Sequence, residues 1–324
     1  MLQRLNSEVP YMKTCAFRTA SMIGLLALAL GAHAAAKVPP KPTQAPPKPQ
    51  WLYVSDSTKT IRIYKLPLSG APSVVAVLSA PGNGPGYGMA VDRAGRVYVA
   101  EANADLIGIF APNKKTGRMV ELASIQTARP AYDVAVDAAG NLYAAEPSGN
   151  AIEVFNAPVK SSSRAAFSIT AGIESPYGLA FGPKGVLFVC NDRSVTQYNP
   201  PLRASIQSAG AIAVANQSQP DFGQGIAVDT QGDAFFGYGT IVEVAKPPYP
   251  KGLFHDLALP PHATVMYLTL DHSGDLYVAA QFGSGNARNG VYVFNAPLKS
   301  GESNAYAGFI PLDQATGVAV VPRP

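Results

Sequence analysis

Apolar and polar residues alternate in short runs along most of this chain, and the runs return at a nearly fixed interval. From Trp51 onward an aromatic residue marks six of them, at Tyr53, Tyr98, Tyr143, Phe188, Phe235 and Tyr277, spaced by 45, 45, 45, 47 and 42 residues. The alternation in Arg96–Glu101 (RVYVAE) and Asn141–Glu146 (NLYAAE) has the period of a strand, so the repeated object is a β unit and not a helix pair.

Each unit has the same internal order. A first strand (GMAVD, DVAVD, GLAFG, GIAVD, YLTLD) leads into a turn, from Asp92 to Gly95, Asp137 to Gly140, Gly182 to Gly185, Asp229 to Gly232 and Asp271 to Gly274, and then into the marked strand. The aspartate caps the turn and the glycine takes the positive φ that the hairpin needs. A third strand ends at an aromatic-x-x-Pro signal, as in IYKLP, QYNPP and two copies of VFNAP, while IFAP in the second unit is one residue shorter. A more variable outer strand follows, so each unit holds four strands.

The two ends complete one another. Trp51–Asp56 is a marked strand with no first strand before it, and Thr316–Val321 is a first strand with no marked strand after it. Sharing one blade between them closes a ring and removes two open sheet edges. The expected fold is therefore all-β: a six-bladed β-propeller over residues 51–324, its first blade closed by the N- and C-terminal strands.

Upstream of the ring the pattern changes. Met22–Ala36 (MIGLLALALGAHAAA) is apolar, follows Lys13 and Arg18 and ends in small residues, which reads as a secretory signal over residues 1–36. It is shorter than the roughly 20 apolar residues of a membrane span, so export with cleavage is expected and no span remains. Residues 37–50 (KVPPKPTQAPPKPQ) cannot form a packed element and read as a stiff proline-rich linker. The expected location is the periplasm, the cell surface or the medium.

Charge and cysteine narrow the function classes. The whole chain carries a formal +4, but residues 51–324 hold 19 basic against 20 acidic residues, formally −1. A nucleic-acid partner is excluded on that balance, since phosphate neutralisation supplies most nonspecific affinity. Cys15 lies in the leader, so the folded part keeps only Cys190, inside the apolar run VLFVCN, where a small buried hydrophobe is expected. The folded part is expected to be a monomer.

The phrases GMAVDRAGRVYVAE, DVAVDAAGNLYAAEPSGNAIEVFNAP and YLTLDHSGDLYVAA resemble NHL repeats. That resemblance implies a propeller and leaves activity open, because such propellers serve as binding platforms, lactonases and lyases. Gluconolactonase and regucalcin-like propellers hold a divalent metal with Glu, Asn and Asp from different blades, the Glu in an EGP-like phrase before a first strand. This chain offers Thr316 and Gly317 in that slot, with Asp313 nearby and Asn191 matching one ligand. The lyase propellers use histidines from separate blades, whereas the folded part here has only His255, His262 and His272.

Ligands meet a propeller where loops converge at one end of its channel. The residues expected there are Tyr87, Tyr132, Tyr177 and Gln224 before first strands, and Asp56, Glu101, Glu146 and Asn191 at the ends of second strands. Tyrosine faces and carboxylate oxygens suit a sugar, a cationic group or Ca²⁺. The same acids also suit a structural task, accepting backbone N–H bonds from neighbouring turns. No catalytic residue or resident cofactor is expected, with Ca²⁺ or another divalent ion as the open case. The expected function is a noncatalytic binding module for a protein, peptide or carbohydrate; the alternative is a metal-dependent lactonase or related hydrolase. Gln281–Gly290 is the longest insertion between strands; its glycines and asparagines read first as a mobile loop and second as a loop that contacts partners.

Overall fold

A computed structural model describes residues 50–68, 71–80, 82, 86–213, 223–249, 255–260, 263–282, 288–298 and 306–322. The predicted signal, all of the predicted linker except Gln50, His262 and residues 283–287 of the predicted insertion lie outside the described residues. Among the described residues no helix is long and apolar enough to cross a membrane.

The strands form six antiparallel four-stranded sheets, the blades of a six-bladed β-propeller. The inner strands are Ala315–Pro322, Met89–Val91, Asp133–Val136, Gly178–Phe181, Gly223–Val228 and Ala263–Leu270, for blades 1 to 6 in turn. Blade 1 is closed by the two ends of the chain: Ala315–Pro322 pairs antiparallel with Gln50–Asp56, from Gln50 opposite Pro322 to Asp56 opposite Ala315. The first strand therefore begins one residue earlier than expected, at Gln50.

The recurring aromatics sit where blades pack. All six are at most 5% exposed, in second strands whose alternate residues fill the layers between neighbouring blades. Where the marker is tyrosine and its hairpin has an aspartate, the two are bonded: Tyr98 Oη donates to Asp92 Oδ2 at 3.3 Å, Tyr143 to Asp137 at 3.2 Å and Tyr277 to Asp271 at 3.2 Å. The aspartate's other oxygen accepts two turn amides, as in Ala94 N and Arg96 N, each 2.9 Å from Asp92 Oδ1. The Asp–Gly turn and the aromatic are thus one unit, which explains why they repeat together. Blade 4 replaces the pair by Gly182 and Phe188, removing both partners at once, which is nearly neutral.

Third strands end at X–Pro bonds that are cis in five blades, before Pro67, Pro158, Pro201, Pro248 and Pro297. In blade 2, with the shorter IFAP phrase, the strand runs on through Pro112 and the outer strand lengthens to Met119–Gln126. Outer strands in blades 3 to 6 have three or four residues, whereas those of blades 1 and 2 have six and eight and expose Val74, Val75, Val77, Val120 and Leu122.

Candidate functional site

Six inner strands face the axis, and aligning them shows one position per blade at the narrowest level: Gly317, Gly88, Asp133, Gly178, Gly225 and Tyr267. The glycines are there because the strands crowd together. A Cβ on Gly317 would stand 1.8 Å from Tyr87 O, and one on Gly88 would stand 1.7 Å from Asp133 Oδ1. Blades 3 and 6, opposite one another in the ring, place side chains at this level instead.

Tyr267 crosses the axis. Its hydroxyl donates to Tyr132 O at 2.6 Å and approaches Tyr177 O at 3.4 Å, joining blade 6 to blades 3 and 4. Asp133 is buried beside it; Val134 N donates to Oδ1 at 2.8 Å and Leu179 N of blade 4 to Oδ2 at 2.7 Å. Burial outweighs those two amides and pushes the carboxyl up to about 8. The Tyr267 phenol is held well above its ordinary value, chiefly by burial and also by the nearby Asp133, so it stays a neutral donor. A cavity of about 280 Å³ adjoins this pair along the inner strands, lined by Met89, Val91, Phe181 and Leu270 among others.

The eight residues expected at the mouth separate into two sets. Tyr87, Tyr132 and Tyr177 form an aromatic arc from neighbouring blades, with ring centroids 5.1 Å apart for the first pair and 5.4 Å for the second, the latter edge to face. These spacings are those of favourable aromatic pairs. Gln224 is half-buried on the next inner strand, at a bulge. Together they present partly exposed flat faces and amide groups to anything that meets this end of the ring.

Asp56, Glu101, Glu146 and Asn191 lie buried behind the arc, each inside its own blade junction. Glu101 Oε2 accepts Gly82 N, Glu146 Oε1 accepts Arg129 N at 3.2 Å, and Asn191 Oδ1 accepts Glu174 N at 3.1 Å. In each case the donor lies in the loop that carries the chain from the preceding blade to its own inner strand. Asp56 takes the hydroxyls of Thr58 and Thr60 and pairs with Arg62. Tyr238, the corresponding residue of blade 5, donates to Asn191 O at 2.9 Å.

A second position governs these braces. The strand register pairs the residue two before each second-strand end with Arg62, Gly108, Glu153, Thr196, Glu243 and Tyr292, which stand diagonally across from those ends. Arg62 pairs with Asp56, and Thr196 accepts from Asn191 Nδ2 at 3.0 Å. Glu153 hydrogen-bonds Glu146, an acid against an acid. Burial first, then that bond and the like charge, push Glu146 up to about 8, while the Arg129 amide and charge oppose them. Diagonally across from Glu101 stands Gly108, which has no side chain; Glu101 Oε1 has no partner among the described residues, and burial raises the group to about 7.

The donor set does not fit the divalent metal of the lactonase-type propellers. Thr316 fills the slot of the family's glutamate, its hydroxyl bonded to Gly86 O at 2.6 Å, and the Asn191 amide is occupied on both sides. A hard cation needs several convergent oxygens, and the carboxylates here are each turned into a separate junction. Asp133, Tyr267 and Glu153 were absent from the sequence expectation. The first two were visible as the exceptions in a column of glycines; the third needs strand register to be placed beside Glu146.

No protein-family model and no curated protein matches this sequence. Solved structures do match by fold. A Bacteroides caccae protein of unknown function aligns with TM-score 0.59 at 13% identity, covering 84% of this chain and 99% of that one. A chain of the nidogen/laminin complex gives 0.60 at 15%, covering 84% and 98%. A Bacteroides uniformis protein assigned only provisionally as a 6-phosphogluconolactonase gives 0.56 at 16%, covering 82% and 83%. At these identities the likeness establishes the propeller fold alone.

Proposed function

We propose that this chain is an exported, noncatalytic binding module of NHL-like build, which meets a protein, peptide or carbohydrate at the tyrosine-lined end of the ring. The observation that carries this reading is the closure of the axis at one level: Tyr267 spans it to Tyr132 O, which separates the tyrosine-lined mouth from the space of about 280 Å³ that lies along the inner strands. The mouth carboxylates support the same reading, since each is engaged in holding a loop. The arc of Tyr87, Tyr132 and Tyr177 supplies flat faces of the kind that stack on sugars or apolar side chains. A fold of this shape occurs in the nidogen/laminin complex, a protein assembly. The apolar leader before residue 37 supports export.

The purified chain, screened against glycan and peptide panels, is expected to show saturable binding that Tyr132→Ala weakens. It is expected to show no hydrolysis of gluconolactone or its 6-phosphate with Ca²⁺, Zn²⁺ or Mn²⁺ present. Robust lactone turnover abolished by a chelator overturns the reading in favour of a metal-dependent lactonase.

A further inference from the structure

Away from the axis, a cleft of about 540 Å³ opens between blade 1 and blade 6. Its size is that of small-molecule sites. Part of its wall is apolar, from Tyr64 and Val74 of blade 1 and Ile310 and Leu312 on the blade 6 side. Two guanidinium side chains, Arg62 and Arg288, line the same space.

Arg62 is held through its side chain and Arg288 through its backbone. Arg62 pairs with Asp56, whose carboxylate is itself held by Thr58 and Thr60. A guanidinium has five donors, so one carboxylate leaves others unspent on the cleft side. Arg288 makes no ion pair among the described residues. Its backbone is pinned: Arg288 O accepts Tyr292 Oη at 2.8 Å, and the adjacent Asn289 side chain accepts Phe282 N at 2.7 Å and donates to Asp313 O. Ordered supports of this kind lower the entropy lost when a ligand is clamped.

The charge balance limits the ligand. Asp56 offsets Arg62, and Asp313 lines the cleft with Arg288, so the four groups sum to zero and the positive potential is local to the guanidinium groups. A monoanion leaves such a site with less excess negative charge than a phosphate dianion does. A planar carboxylate also matches the guanidinium fork. We propose that this cleft binds an organic carboxylate with an apolar body, the carboxylate held by Arg62 and Arg288 and the body lying on Tyr64, Ile310 and Leu312. The site is separate from the axial mouth, and it stands or falls without the binding reading given above.

The test uses the full chain and ligand-observed NMR. 3-Phenylpropionate is the probe for a free acid, and Gly-Val-Phe with a free C-terminus is the probe for a peptide terminus; 3-phenylpropionamide and the tripeptide amide are their neutral controls. At least one acid is expected to bind, its amide to bind at least about tenfold more weakly, and Arg288→Met to reduce acid binding by a similar factor. Tighter binding of the tripeptide than of 3-phenylpropionate identifies a chain terminus as the source, and the reverse identifies a free acid. Arg62→Met leaves Asp56 unpaired and risks misfolding, so Arg288→Met is the deciding variant. Absence of binding by both acids, equal binding of acid and amide, or acid binding unchanged in Arg288→Met overturns the proposal.

Discussion

Glu146→Gln should make the protein more stable at alkaline pH, and the gain should vanish as the pH falls. In the native state Glu146 accepts the Arg129 amide with Oε1 and stands against the carboxyl of Glu153, with which it can share a proton. Its side chain is buried, and its carboxyl is raised to about 8. A raised carboxyl binds its proton more tightly in the folded than in the unfolded chain. The resulting stability is complete below the unfolded value near 4.3 and is lost as the pH rises through about 8. Glutamine is a permanent copy of the protonated form: its oxygen can take the Arg129 amide and its NH₂ can donate to Glu153. At about 1.4 kcal/mol per tenfold change in proton affinity, the shift corresponds to a few kcal/mol, which solvent access at the rim and loop relaxation reduce to about 1–2 kcal/mol. For a domain of this size that is roughly 2–5 °C in Tm. The assay is thermal unfolding of both proteins from pH 5 to pH 9. The Tm difference between them should be near zero or slightly negative at pH 5 and should reach its full value by pH 9. A difference independent of pH, or a variant less stable throughout, would refute the shared proton.

Tyr267→Phe removes the donor to Tyr132 O and should cost about 1 kcal/mol, whereas Tyr267→Ala opens the axis and should cost about 3–5 kcal/mol; equal losses by chemical denaturation would show that the hydroxyl, not the ring, closes the channel. Cys190 is fully buried and its thiol is pushed up by burial, so it should resist a thiol-specific chromogenic reagent until the chain unfolds; fast labelling of the native protein at pH 8 would contradict that placement. Val75→Lys with Val77→Lys should raise the temperature at which scattering appears on heating, because it charges a six-residue apolar edge strand; an unchanged onset would locate aggregation elsewhere.

The fold was legible because its determinants are local and repeated. Each Asp–Gly hairpin and its marker aromatic can be read within a dozen residues, and the unpaired strands at Trp51 and Thr316 announce the closure of blade 1. The site was legible only in part. Sequence order places Tyr87, Tyr132 and Tyr177 at one level, and the structure brings their rings together. It does not reveal that Tyr267 reaches Tyr132 O, 135 residues away, because that bond depends on the diameter of the closed ring. Nor does it show which way an acid at the end of a second strand turns, since that depends on the third-strand residue beside it and on the loop arriving from the preceding blade.

That dependence shows how one scaffold position takes different electrostatic states. The brace needs an acceptor for a loop amide, which a carboxylate or an asparagine oxygen provides equally well. The second contact then sets the charge. In contact with Arg62 the acid is an anion, in contact with Thr196 the residue is a neutral amide, and in contact with Glu153 the acid keeps a proton to about pH 8. Diagonally across from Gly108 one oxygen of Glu101 meets no donor among the described residues, and desolvation, with a lesser push from the charge of Glu121, raises the group. The variation among the second-strand ends therefore tracks a structural couple whose charge differs from blade to blade. Differences that bear on ligands are to be sought at the tyrosine arc of the mouth and at the cleft where the last blade meets the first, which borrows Arg62 from that couple and adds Arg288.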